Sequence, residues 1–140
     1  MDDKKIIFKT FISQLEEFFN DMEQIFPKDD DLKYCKNTMN LVKKANPKKL
    51  IEGWYTNISS KYYNEINNGN VKYFLEKDFD EDIKNIKMNK ISYININSTN
   101  YMFKMIDKIK TNIKSMNNDN MEKSVQYIKN LTNLSTIYYN

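Results

Sequence analysis

Apolar residues recur at steps of three and four along most of this chain, and that spacing limits the possible folds more than any other feature. The first and longest stripe runs from Phe8 to Phe26, with acidic and amide side chains between its members. Steps of three and four bring side chains onto one face of an α-helix, so this stripe predicts a helix of about five turns with one buried face. Shorter stripes of the same kind begin at Leu32, Leu50, Val71, Met102 and Met121.

Capping residues and rare helix breakers mark where these helices should begin and end. The run 29–31 consists of three aspartates, whose carboxylates accept hydrogen bonds from the free N–H groups of a helix start. Asn46-Pro47 predicts the start of a third helix, because Asn caps and Pro fits the first helical position. Gly69 lies in an Asn-rich turn and is free to take a positive φ. Gly53, inside the third helix, predicts a close approach by another helix.

These stripes predict an all-α fold, a compact single-domain helical bundle of about five to seven helices that uses residues 1–140. The first, third and last helices should form its centre. Trp54 should be buried there against Phe18, Phe19 or Met22. A chain of 140 residues with 40% hydrophobic residues is long and apolar enough to bury such a core without disulfides or metals.

Residues 89–100 depart from the helical spacing and predict an irregular or extended segment. Its apolar residues alternate in part with Ser and Asn, a pattern typical either of a segment lying across the helices or of a short strand. A single strand has no pairing partner within the chain, so a strand here would imply pairing with another molecule. The candidate partner-binding residues of this segment are Ile91, Tyr93, Ile94 and Ile96.

The C-terminal pair Tyr138-Tyr139 is a second candidate for partner binding. Terminal aromatic side chains dock either onto their own bundle or onto another molecule. The partner would be a protein, and a homo-oligomer is a further alternative.

Missing residue types restrict the available chemistry. The chain has no histidine, and all 22 of its basic residues are lysines, so it lacks the commonest general base and the bidentate anion clamp of arginine. Cys35 is the only cysteine and lies at a stripe position, which favours a buried structural thiol over a nucleophile or a zinc ligand. We therefore predict a protein that is not an enzyme, with no catalytic residues and no cofactor.

Three carboxylates at alternate positions, Asp78, Asp80 and Asp82, match the first three ligand positions of an EF-hand loop. The match ends there, because Ile83 stands where the loop needs glycine and Asn89 stands where it needs glutamate. We therefore predict a solvated turn and no metal site, with weak surface binding of Ca²⁺ or Mg²⁺ as the alternative. A third functional interpretation is an enzyme that works from a carboxylate pair such as Asp80 and Asp82, which would need two pKa values pushed apart.

Lysines concentrate on both sides of Asn46-Pro47, near Trp54 and Tyr55, and along the helix after residue 100. Lysines beside aromatic rings can bind nucleic acid through phosphate contacts and base stacking. The candidate nucleic-acid-binding residues are Lys43, Lys44, Lys48, Lys49, Lys104 and Lys108. The competing interpretation is a solvated loop, because Trp54 and Tyr55 occupy a buried stripe and the net charge is only +3.

No apolar run is long enough for a membrane span, and the N-terminal residues lack the apolar core of a signal peptide. A single cysteine suits a reducing compartment. Lys, Asn, Ile, Tyr and Phe dominate and alanine occurs once, a composition that indicates an AT-rich genome. The sequence therefore predicts an intracellular protein with no membrane partner.

Several short motifs lie between residues 15 and 80. They are Phe18-Phe19 before Phe26-Pro27, Leu32 after three aspartates, Asn46-Pro47 before an aromatic helix, and Phe74-Leu75 near Asp78. With these motifs the chain resembles a small helical protein type encoded by large nucleocytoplasmic DNA viruses. The resemblance implies a viral setting (the cytoplasm or nucleus of an infected host, or the virion) and assigns no catalytic residue. The predicted function is protein–protein interaction or a structural accessory role, with nucleic-acid binding as the alternative.

Overall fold

The computed structural model describes residues 2–76 and 93–140, with side chains described for 3–76, 102 and 104–140. Within these ranges the chain forms six helices and no strand. They are α1 (Asp2–Ile25), α2 (Asp30–Ala45), α3 (48–67), α4 (Val71–Glu76), α5 (Tyr93–Lys114) and α6 (Asn118–Tyr139). The predicted all-α bundle is therefore confirmed.

The predicted cap at the start of α2 is present. The Asp29 carboxylate accepts the backbone N–H of Leu32 at 3.1 Å. At the start of α3, Pro47 has helical φ and ψ of −61° and −23°, as predicted. No described side chain caps this helix, and the backbone carbonyl of Asn46 accepts the Lys49 N–H at 3.0 Å instead. Gly69 has a φ of +83°, as expected for the turn that joins α3 to α4. Local sequence therefore sets these boundaries.

Helices α1, α3 and α6 form the centre, as predicted. Helices α1 and α6 share the most extensive contact among the described elements, and α3 packs against both of them. Helices α1 and α6 run antiparallel, as shown by the contacts Asp21–Tyr127, Gln14–Asn130 and Phe8–Tyr138. The centre is therefore a three-helix layer whose register is marked by polar contacts at its edges.

Trp54 is fully buried where the three central helices meet, which confirms its predicted place in the core. Its indole N–H donates a hydrogen bond to the Thr132 hydroxyl on α6 at 3.2 Å. The aromatic ring that meets it edge-on is Phe11, at a centroid distance of 6.4 Å. Phe11 lies two to three turns closer to the N terminus of α1 than the side chains that the sequence suggested.

Helix α3 is not regular. It comprises an α-helical part, Lys48–Trp54, a π-helical turn, Tyr55–Ser59, and a second α-helical part, Ser60–Asn67, in which Tyr62 leaves helical geometry at φ −125° and ψ 15°. The π-turn carries the buried Ser59, whose hydroxyl lies 2.6 Å from that of the buried Ser135 on α6. An extra residue per turn thus lets α3 keep both Trp54 and Ser59 against α6.

Helix α5 packs over the centre where α3 has its glycine. A Cβ atom built on Gly53 would lie 2.9 Å from the terminal atoms of the Met102 side chain, so only glycine allows this contact without a shift. The predicted close approach at Gly53 is confirmed.

The helical start of α5 corrects the interpretation of residues 89–100. Residues 93–100, including Tyr93, Ile94 and Ile96, belong to α5 and are not extended. Once the apolar stripe from Met102 onward is helical, adding residues to its start costs no new nucleation, and this outweighs a partly alternating pattern. Ile91 and residues 89–92 lie outside the described residues.

We predict that Thr132→Val destabilises the protein by about 1–3 kcal/mol, because it leaves the buried Trp54 indole N–H without an acceptor while preserving side-chain shape. The free energy of unfolding is measured by urea denaturation followed by circular dichroism. Thr38→Val is the matched control, since its hydroxyl donates to the Tyr34 carbonyl at an exposed site. The control should change stability by no more than about 0.5 kcal/mol. Equal effects of the two substitutions would contradict the assigned hydrogen bond.

The α1–α6 contact also contains a tyrosine with a raised pKa. Burial, the hydrogen bond from its hydroxyl to the Asp21 carboxylate at 2.7 Å, and the negative charges of Asp21 and Glu17 raise the pKa of Tyr127 to about 12. Because the folded pKa exceeds the ordinary value of about 10, this contribution to stability is present below pH 10 and is lost as the pH rises towards 12.

The measurement is a tyrosinate absorbance titration, taken as the difference between wild type and Tyr127→Phe. Asp21→Asn should lower the pKa of Tyr127 towards the ordinary value, and Asp119→Asn, at an exposed carboxylate on α6, should leave it unchanged. A Tyr127 pKa that is insensitive to Asp21→Asn would show that the hydrogen bond is absent in solution.

Candidate partner-binding groove

The predicted nucleic-acid-binding lysines divide into two groups. Lys43 forms an ion pair with Glu16 on α1, with 2.6 Å between Nζ and Oε2. Lys108 forms one with Asp29 at 2.7 Å, and both side chains are less than a fifth exposed. The remaining candidates, Lys44, Lys48, Lys49 and Lys104, are exposed. Two of the six candidate lysines therefore hold helices together.

The aromatic side chains near Asn46-Pro47 do not offer a base-stacking surface. Trp54 is fully buried, and the half-buried ring of Tyr55 packs on Tyr139 at a centroid distance of 4.7 Å. Base stacking needs an accessible ring face. The lysines beside this turn therefore lack the aromatic partners that the sequence suggested for them.

Asp29 links the start of α2 to α5. Partial burial acts to raise its pKa, but the hydrogen bonds from Lys108, from the Leu32 N–H and from Asn112, together with the positive charge of Lys108, lower the pKa below its ordinary value. Lys108 is thus a structural residue that neutralises the cap of a neighbouring helix.

Cys35 is half-buried beside the core and so is less enclosed than the predicted buried thiol. Burial raises the pKa of the Cys35 thiol, and the positive charges of Lys108 and Lys104, which act to lower that pKa, do not reverse the shift. A raised pKa disfavours the thiolate, which is the nucleophilic form. The environment of Cys35 therefore supports a structural role.

Of the candidate partner-binding residues, the structure describes the side chains of Tyr138 and Tyr139. Tyr138 packs on Phe8 at a centroid distance of 6.0 Å, with the Lys4 ammonium 4.8 Å from its ring, and Tyr139 packs on Tyr55. The terminal tyrosines thus dock onto their own bundle. Ile91 lies outside the described residues, as do the side chains of Tyr93, Ile94 and Ile96.

The acidic residues Asp78, Asp80 and Asp82 fall outside the described residues as well. Within the described part of the chain, no group of three His, Cys, Asp or Glu side chains is placed to hold a metal ion.

A groove of about 580 Å³ lies where the α3–α4 turn, α4, the end of α5 and the start of α6 meet. Its floor is apolar and its rim carries three lysines and one glutamate. The lining residues are Gly69, Val71, Lys72, Leu75, Glu76, Lys114, Met121, Val125 and Lys129. Its volume is within the range of about 300–1,000 Å³ that is usual for binding sites. We call it the lysine-rimmed groove.

Helical spacing brings the lining residues of each helix onto the side that faces the groove. Val71 and Leu75 are one turn apart on α4, so both point to the same side, and both are buried. Met121, Val125 and Lys129 follow one another at steps of four on α6, and all three are half-buried. The positive φ of Gly69 turns the chain from α3 into α4, and α4 packs against α3 and α5.

The three rim lysines come from three different helices. Lys72 belongs to α4, Lys114 to the last turn of α5, and Lys129 to α6. Among the described residues none of them has an ion-pair partner, in contrast to Lys36, which pairs with Glu23 at 2.8 Å. The groove therefore combines an apolar floor with positive charge that the described residues leave uncompensated.

Sequence reasoning did not identify this groove. The apolar spacing predicted that all four floor residues are buried, which is correct for Val71 and Leu75. The spacing does not show that the apolar faces of α4 and α6 leave a groove between them. The available signal was weak: lysines at positions 114 and 129 border two stripes, and this pattern is common on any amphipathic helix.

A smaller depression of about 370 Å³ lies beside the Lys43–Glu16 ion pair and Pro47. Another of about 200 Å³ lies between Asp21 and Ser124 at the α1–α6 contact. Neither combines several unpaired charges with an apolar floor, so the lysine-rimmed groove is the stronger candidate site.

Comparison of the chain with protein-family models, with curated proteins and with solved structures gives no match. Among the described helices, none combines the length and the apolar content that crossing a membrane requires.

We predict graded losses of stability at Asp29. Asp29→Ala removes the helix cap and the ion pair, and the lost cap alone should cost about 1 kcal/mol at neutral pH. Asp29→Asn retains a capping oxygen and should cost less. Because the folded pKa of Asp29 is depressed, its contribution is present above the unfolded pKa and is lost as the pH falls through the folded pKa.

Urea unfolding at neutral and at acidic pH tests this prediction. The difference between wild type and Asp29→Asn should shrink as the pH falls below about 4. Asp107→Asn, at an exposed carboxylate of α5, is the control and should behave as wild type at both pH values. A difference that does not change with pH would mean that the carboxylate charge of Asp29 contributes nothing.

Proposed function

We propose that this chain is a non-enzymatic protein–protein interaction or structural accessory protein that holds its partner in the lysine-rimmed groove. The observation that carries the proposal is the groove itself, an apolar concavity of about 580 Å³ bordered by lysines from three helices. Apolar surface and unpaired charge that a folded chain leaves accessible at one place are typical of binding sites.

Composition and local chemistry support the non-enzymatic part of the proposal. The chain has no histidine or arginine, and its one thiol has a raised pKa. Tyr127 at the α1–α6 contact has a strongly raised pKa, which keeps its hydroxyl protonated. Burial and the structural hydrogen bond to Asp21 explain that raised pKa, which therefore does not need a catalytic role.

The viral setting rests on the sequence resemblance alone. Under it, the protein acts in the cytoplasm or nucleus of an infected cell or in the virion, and its partner is a viral or host protein. A second copy of the chain is another outcome that the experiment below separates.

Nucleic-acid binding is the second candidate, and the exposure of Lys44, Lys48 and Lys49 favours it. The burial of Trp54 and the ion pairs of Lys43 and Lys108 weigh against it, because they remove a stacking ring and two of the six candidate cations. We therefore rank it below binding of a protein.

The test is affinity purification of the tagged full chain from the cells in which it is naturally made, at physiological salt and after nuclease treatment, followed by mass spectrometry. Wild type is compared with Met121→Glu, which places a charge on the half-buried floor residue of the groove. Leu41→Glu is the matched control, because Leu41 is 67% exposed on α2. Circular dichroism establishes that each variant is folded.

We expect one or two stoichiometric proteins with wild type and with Leu41→Glu, and their loss with Met121→Glu. Equal recovery by all three chains would contradict a role for the groove. If nucleic acid co-purifies before nuclease treatment and no protein survives it, the second candidate replaces the first. Recovery of the chain alone, as a dimer sensitive to Met121→Glu, would identify the partner as a second copy.

A further inference from the structure

We infer that the partner of the lysine-rimmed groove is an acidic amphipathic peptide segment, with apolar side chains one helical turn apart and carboxylates beside them. This inference rests on the proposed function and adds the chemistry of the partner. Two independent features of the groove lead to it, the spacing of its floor and the charge of its rim.

The floor presents two sets of apolar side chains, one from α4 and one from α6. Val71 and Leu75 are four residues apart on α4, and Met121 and Val125 are four residues apart on α6. A groove between two helices accepts the apolar face of a third, whose anchors recur at steps of three and four. The unbranched, polarisable side chain of Met121 can adjust to anchors of different shape.

The rim determines the charge of the partner. Three lysines face one carboxylate, that of Glu76, and none of the three is ion-paired within the described residues. A partner with Asp or Glu beside its apolar anchors would complement this rim, whereas a basic partner would be repelled. Pairing at the edge of an apolar groove is also stronger than pairing in bulk water, because the local dielectric is lower.

Two other classes of ligand fit less well. The groove is partly open to solvent, whereas sites for small molecules bury about 70–90% of their ligand. Its described lining contains no aromatic ring, so it offers no stacking surface for the bases of a single-stranded nucleic acid. A peptide segment suits an open groove because only one of its faces needs to be buried.

The test is selection of a phage-displayed random peptide library on the immobilised full chain, followed by affinity measurement with the selected synthetic peptides. The comparison variant is Lys72→Glu/Lys129→Glu. This variant reverses two rim charges. Lys72→Glu should not disrupt α4, because it places a carboxylate in the first turn, where the helix dipole favours negative charge. The control is Lys28→Glu/Lys33→Glu, an equal charge change at exposed sites that include the first turn of α2.

We expect the selected peptides to be acidic, with apolar residues at helical spacing, and to bind wild type and the control variant equally. Their affinity should fall by about tenfold or more for Lys72→Glu/Lys129→Glu and should weaken with added salt. Selection of neutral or basic peptides, an unchanged affinity for the rim variant, or failure to enrich any peptide would overturn the inference.

One further variant distinguishes the source of the acidic segment. Neutralising the chain's own acidic run at 78–82 should leave peptide affinity unchanged. A gain of more than about tenfold would assign the groove to that run and would overturn the inference of a separate partner.

The two proposals fail in different ways. If Met121→Glu abolishes capture of a protein but the selected peptides ignore the rim lysines, the groove binds a partner whose chemistry is not acidic. If acidic peptides bind through the rim lysines but no cellular protein depends on Met121, the chemistry of the groove is correct and the proposed function is wrong.

Discussion

The buried indole of Trp54 is the constraint on which the rest of this fold depends. A fully buried N–H group must have an acceptor, and here the acceptor is the hydroxyl of Thr132, 78 residues away on α6. Phe11 closes the other side of the ring, and the hydroxyls of Ser59 and Ser135 repeat the polar contact one turn farther along α3. Because each of these groups is satisfied only in one arrangement, α3 can sit against α1 and α6 in a single register.

That register positions the lysine-rimmed groove. With α3 fixed through Trp54 and Ser59, the chain reaches Gly69, whose left-handed backbone turns it into α4, and α4 packs against α3 and α5. Helix α5 is fixed separately, by the contact of Met102 with Gly53, and its last turn supplies Lys114. The groove thus forms because the central helices hold α4 and α5 in place without bringing α4 into full contact with α6.

Features with a local cause could be predicted from the sequence, and features that depend on distant residues could not. The apolar spacing predicted the helices, Asp29 predicted the start of α2, and Gly69 predicted the turn after α3. Each of these features depends only on residues that are close in sequence. The π-turn of α3 was missed because it depends on Ser59 meeting Ser135, 76 residues later. The groove was missed for a related reason: no single stripe shows which apolar positions the neighbouring helix leaves uncovered.

The most direct test of the central claim, that this groove receives an acidic amphipathic segment, is a methyl NMR titration of methionine-labelled protein with such a peptide. Met121 lines the groove, whereas Met22 and Met39 are only 1% exposed in the core. The account predicts that the Met121 methyl resonance moves on peptide addition while those of Met22 and Met39 stay in place. A stationary Met121 resonance beside a bound peptide would contradict it and would place the binding site elsewhere on the molecule.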